Sequence, residues 1–187
     1  MKTFMFAVKT STGTVTRSVA YLVEYHPWKK GHNPTFNNSS KLILAFKNRN
    51  ASVVTQFANF INAEFNPLWA NCCCVAVPSS NPQKLITPVH DLIKALVSLR
   101  PGLQNGSDAL IRTHAIKKLA NGGKRSKEVH LNSIRINRSC SINISGRDIL
   151  LIDDVITTGN SLLACMDKLK DGGAKRVFLL TLAKTVR

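Results

Sequence analysis

The chain has 187 residues, 44% of them hydrophobic and 19% charged, which suits one domain with a sizeable core and excludes both two full domains and a disordered chain. Its formal charge of +16 implies anionic partners, whether phosphorylated metabolites, nucleic acid or an acidic surface, and does not choose among them.

Met1–Tyr25 alternates around Phe4, Phe6 and Val8, breaks near Gly13, and resumes with Val15, Val19, Tyr21 and Val23, the pattern of a hairpin. The apolar stretch in Met1–Val8 is too short for a secretory signal. No run approaches the roughly 20 apolar residues of a spanning helix, so a cytoplasmic protein with no membrane partner is expected. His26–Ser40, with Pro27, Gly31 and Pro34, reads as an irregular loop ending at a helix cap, Ser39 or Ser40. Trp28 in this loop is either core or an aromatic face for stacking a base. Leu42, Ile43 and Phe46 mark a short helix, and Val53, Val54, Phe57, Ile61 and Phe65 a second.

Cys72–Val77 is a continuous apolar run that opens into Pro78-Ser79-Ser80-Asn81-Pro82, which fits a buried parallel strand followed by a loop. Its three consecutive cysteines, among five in all and without a C-x-x-C pair, suit buried thiols in a reducing compartment and no zinc site. Thr87-Pro88 caps a helix to about Leu99. Ala109–Thr113 is a further candidate strand. Between Arg112 and Arg147 the only acid is Glu128, and Leu119–Lys127, with Asn121-Gly122-Gly123, reads as a mobile basic loop flanked by His114 and His130. Ile149–Asp153 is a strand, Ser161–Lys170 a helix stopped by Gly172-Gly173, and Val177–Ala183 a last strand. Strands alternating with helices predict an α/β fold, a parallel-sheet core with helices on both faces (residues 41–187), and a small β-rich hood formed by residues 1–40. Ligands then bind beyond the carboxyl ends of the strands, after Val77 and after Ile152.

The segment after Ile152 carries the chemistry. Asp153 and Asp154 end a buried strand, and Val155-Ile156-Thr157-Thr158-Gly159-Asn160-Ser161 leads into a helix. Backbone N–H groups at a helix start, with the positive end of its dipole, suit a phosphate, and Thr157, Thr158 and Ser161 can add hydroxyl donors. Gly159 lets the backbone approach the anion closely. Adjacent carboxylates accept hydrogen bonds from a sugar diol and help to hold hydrated Mg²⁺. A ribose 5-phosphate unit satisfies both halves.

Ile149–Ser161 resembles the signature of type I phosphoribosyltransferases, in which four apolar residues, an acidic pair and two apolar residues precede Thr-Thr-Gly-x-Thr or Ser. Asp167–Val177 with Leu180–Ala183 resembles the end of the ComF-like, competence-associated members. Leu42–Lys47 and Cys74–Ser79 resemble their upstream segments, although the family's zinc ribbon and its Arg-Gly-Phe-Asn-Gln segment are absent. The resemblance implies binding of 5-phosphoribosyl-1-pyrophosphate and Mg²⁺-dependent transfer of ribose 5-phosphate to a nitrogen acceptor such as a nucleobase, releasing pyrophosphate. It implies that Asp153 and Asp154 are the catalytic pair that meets the ribose hydroxyls and the metal, directly or through water. Residues 153–161 hold the ribose and its 5-phosphate, with Thr157–Ser161 at the phosphate. Ser79, Ser80, Lys84, Lys117, Lys118, Lys124 and Arg125 are the candidates for pyrophosphate. A homodimer is a common state of such proteins. The alternative is a non-catalytic, ComF-like sensor of the donor or of a nucleotide that works on nucleic acid during DNA uptake or processing.

Overall fold

The computed structural model describes residues 1–10, 13–28, 31–116 and 126–186, with backbone alone for 4, 6–10 and 13–15. Side chains expected to alternate at Phe4, Phe6, Val8 and Val15 therefore fall outside the described ones. Six strands form one sheet in the order β1-β2-β8-β7-β3-β4. β1 (Lys2–Thr10) and β2 (Gly13–Tyr25) are an antiparallel hairpin, as the break near Gly13 predicts. β2 then pairs in parallel with β8 (Arg176–Thr185), β8 with β7 (Asp148–Ile156), β7 with β3 (Cys73–Ala76), and β3 with the two-residue β4 (Gln104–Asn105). The hairpin is thus the edge of the main sheet, where a hood was expected, because Ala20–Tyr25 extend the ladder beside β8.

Side chains that alternate along β7 separate two cores. Leu150 and Ile152 face α1 (Asn38–Lys47), α2 (Ala51–Ala63) and α3 (Pro88–Leu99), while Ile149 and Leu151 face α5 (Asn160–Asp171). Burial on both faces is why these strands read as unbroken apolar runs. The second layer also holds α4 (Lys127–Ser133) and an antiparallel ribbon of β5 (Leu110–Arg112) with β6 (Ile134–Ile136). The Ala109–Thr113 candidate is therefore a strand of a separate two-stranded sheet, and the main sheet ends at β4.

Helix caps decide where the site-bearing elements begin. The cap of α1 is Asn37, whose side chain accepts from Ser40 N–H, two to three residues before the predicted serine caps. Ser40 is instead buried, and its hydroxyl takes the His26 N–H at 2.9 Å, tying the loop to the helix. Thr87 precedes α3 as expected, and its N–H donates to His90 Nδ1. Burial holds the His90 pKa below its usual value, consistent with a neutral ring that accepts there. Among the described residues no helix is long and apolar enough to cross a membrane.

Candidate functional site

A cleft of about 1060 Å³ opens where β7, β8 and β3 end. One wall is the end of β7 and the turn into α5, Asp153 through Leu162, and the other is the loop after β3, including Pro78, Ser79, Ser80 and Lys84. The structure thus brings together both predicted halves, and every described candidate residue lines the same cleft. Lys117, Lys118, Lys124 and Arg125 lie outside the described residues.

β7 continues in register through Ile156, so the acids sit within its last turns of pleat, with Asp153 opposite Thr181 of β8. Consecutive strand residues point to opposite faces. Asp154 faces α1, where Lys47 Nζ stands 3.6 Å from its Oδ2, and Asp153 lies toward α5. The Asp153 Oδ1 accepts from Asp154 N–H at 2.8 Å, and Asp154 Oδ1 accepts from Val155 N–H at 2.6 Å. Burial first, then the charge of Asp154, raises the Asp153 carboxyl well above the ordinary carboxylate range, while the Asp154 N–H and Lys47 oppose the rise. A cation beside the pair offsets both causes. Two carboxylates opening on a cleft suit Mg²⁺, which takes one or two protein carboxylates and completes its shell with water and ligand oxygens.

Beyond the acids the chain turns at Gly159, whose φ of +77° is the left-handed conformation glycine takes without strain. α5 begins at once, and its first internal bond runs from Leu163 N–H to Gly159 O. The N–H groups before Leu163 have no partner within the helix and lie at the cleft wall. Thr157 and Thr158 are exposed, and Thr157 Oγ1 lies 2.8 Å from Thr185 Oγ1. Hydroxyl groups and helix-start N–H groups thus gather at the positive end of a 12-residue helix, an arrangement that suits an anion.

Several lining residues, Tyr25, Lys47, Arg112 and His130 among them, were not singled out as site residues from the sequence. Lys47 ends α1 with its ammonium 5.4 Å from the centre of the Tyr25 ring, and both line the cleft. Arg112 is 6% exposed and holds the carbonyls of Pro78 and Ser79. His130, one of the two histidines flanking the basic segment, is buried at the cleft, whereas His114 is exposed. Trp28 takes neither expected role: it is 49% exposed, packs edge-on against Phe36 with centroids 4.7 Å apart, and does not line the cleft. Its neighbour Pro27 does.

Residues 109–185 match the model of the phosphoribosyl transferase domain, a span running from β5 to the end of β8 and containing the acidic pair and the α5 start. Over 95 residues the chain is 32% identical to a ribose-phosphate pyrophosphokinase of Pasteurella multocida, covering 48% of this chain and 30% of that protein's length. Among solved structures it is similar to a hypoxanthine phosphoribosyltransferase from Staphylococcus aureus (13% identity, TM-score 0.41, 78% of this chain and 75% of that one). It is also similar to a purine phosphoribosyltransferase from Pyrococcus horikoshii (16% identity, TM-score 0.43, 70% and 73%).

Proposed function

We propose that this chain, as a cytosolic enzyme, binds 5-phosphoribosyl-1-pyrophosphate and transfers its ribose 5-phosphate to a nitrogen acceptor, a nucleobase, with release of pyrophosphate. The observation that carries the reading is the sharing of one cleft by the Asp153–Asp154 pair, the start of α5 and the Ser79–Ser80 loop. Asp153 and Asp154 receive the ribose diol, the segment from Thr157 to Ser161 anchors the 5-phosphate, and the loop after β3 with Lys84 faces the pyrophosphate. Asp153 and Asp154 would hold Mg²⁺, which would supply charge neutralisation for the departing diphosphate. The chain's own work is to orient the sugar and to exclude water from a centre that gains positive charge as the glycosidic bond breaks. Tyr25, Pro27 and Lys47 line the wall nearest Asp154 and are the acceptor side.

The test is pyrophosphate release from the donor with Mg²⁺ and a panel of purine and pyrimidine bases. Release with one base supports transfer, and tight donor binding without turnover on any base defeats it. The charge of +16 favours a second reading, a ComF-like protein that senses the donor and works on nucleic acid. That reading requires retention on DNA or RNA that weakens steeply with salt and changes when the donor is added.

A further inference from the structure

Arg112 is a buried cation at the cleft, and its place in the proposed reaction is not explained by the sugar and phosphate contacts above. Its guanidinium spans three elements. Nε donates to Ser79 O at 2.8 Å, Nη2 to Pro78 O at 3.3 Å, and Nη1 to Ser133 Oγ at 2.5 Å. Ser133 closes α4 and is itself anchored, donating toward Val129 O and His130 O. The next carbonyl, Ser80 O, is held from the same side by Ile116 N–H at 3.1 Å.

In a planar trans peptide the C=O and N–H point in opposite directions. Drawing the Pro78 and Ser79 carbonyls toward Arg112 therefore turns the Ser79 and Ser80 amides away from it, and both residues line the cleft. Neither amide has a hydrogen-bond partner among the described residues. The following amide, Asn81 N–H, is taken by Ser79 Oγ, so the exposed pair is confined to two successive donors. Successive N–H groups on one side of a turn can form an anion-binding concavity.

We propose that Arg112 is a positioning residue that shapes the Ser79–Ser80 loop into a diphosphate subsite, by holding its carbonyls away from the cleft. The proposal rests on the phosphoribosyl reading and assigns the second anion of that ligand, across the acidic pair from the α5 start. Lysine at this position keeps the charge but cannot hold two carbonyls in a fixed fork, so Arg112→Lys separates geometry from charge.

Binding of three probes to the full chain, with Mg²⁺, tests it: inorganic pyrophosphate, the phosphoribosyl pyrophosphate donor and ribose 5-phosphate. R112K should lose about tenfold or more in affinity for the first two, the scale of hydrogen bonds to a charged group, and leave the third unchanged. S133A, which frees one arm of the guanidinium without touching the core charge, should move the same ratio in the same direction by less. Equal losses for all three probes, or no change in the ratio in either variant, overturn the proposal. Wild-type protein that binds ribose 5-phosphate but neither diphosphate also overturns it while leaving the sugar phosphate site intact. Failure of the broader reading is a different result, wild-type protein that binds no ribose 5-phosphate.

Discussion

Replacing Asp153 by Asn should make the ligand-free protein less sensitive to rising pH, because the native fold holds this carboxyl's pKa above the ordinary range. An unfolded aspartate loses its proton near pH 3.9, so above that pH the unfolded state binds fewer protons than the native state and stability falls as pH rises. This is the reverse of the usual paired carboxylate. The limiting slope is about 1.4 kcal/mol per pH unit. Interaction with Asp154 and the attraction of Lys47 reduce it, and taking about half gives ~1–2 kcal/mol between pH 5 and 7. For a chain of this size that is about 3–6 °C in Tm. The assay is thermal unfolding of wild type and D153N in the same buffers at pH 5, 6 and 7. The difference between the two proteins cancels the titration of other groups, the histidines included. Wild type should fall relative to D153N as pH rises, and addition of donor with Mg²⁺ should stabilise wild type alone. Parallel curves in the ligand-free proteins would refute the argument that the fold holds Asp153 protonated.

Gly159→Ala should cost about 1–2 kcal/mol, measured by denaturant unfolding, since φ is +77° there, and should weaken ribose 5-phosphate binding by crowding the start of α5. Lys47→Met should change stability by less than about 1 kcal/mol, because both partners of its ion pair are over one third exposed. It should move the pH-dependent fall of the wild-type curve upward, since Lys47 opposes the rise of the Asp153 pKa, and comparison of K47M with the K47M/D153N double variant reads that shift. Leu150→Ala, at a fully buried position between α1–α3 and the sheet, should cost about 2–5 kcal/mol by calorimetry. Asn37→Ala removes the cap of α1 and should cost about 1 kcal/mol in the same measurement, with ribose 5-phosphate affinity retained.

The elements that could be read from the sequence are those whose signals are local. β7 and β8 are apolar on both faces, α3 has Thr87 and Pro88 at its start, and α5 has Gly159 before it and Gly172 after it. The elements that could not be read depend on partners. β4 is two residues held by Cys73 and Cys74, too short for any periodicity. β5 has a strand's composition, but only its register with Ile134–Ile136 reveals that it belongs to a separate ribbon. Likewise the hairpin's alternation says nothing of which sheet it joins, and β8, more than 150 residues away, supplies that answer.

The candidate site divides along the same line. Asp153 through Ser161 is legible because the acidic pair and the helix start proposed to take the diol and the phosphate occupy nine consecutive residues, and a contiguous pattern survives in the sequence. Ser79 and Ser80 are legible only as a loop that follows a parallel strand and through the family resemblance, and what orients them is an arginine 33 residues away whose third partner lies a further 21 residues on. Arg112 reads as one cation in a basic stretch. Only when β5, the loop after β3 and the end of α4 are brought to one side of the cleft does its charge acquire a direction. The excess of basic residues between Arg112 and Arg147 therefore has at least two physical meanings. At Arg112 the cation is buried and fixes backbone geometry, whereas Arg147 is hydrogen-bonded to Asn143 O and Gln104 at an exposed position and contributes to the surface field. A net charge sums these contributions and cannot distinguish a residue that shapes an anion site from one that only attracts the anion to it. For that reason the charge bears on nucleic-acid retention, while the bonds of Arg112 bear on which part of a phosphorylated ligand the cleft can hold.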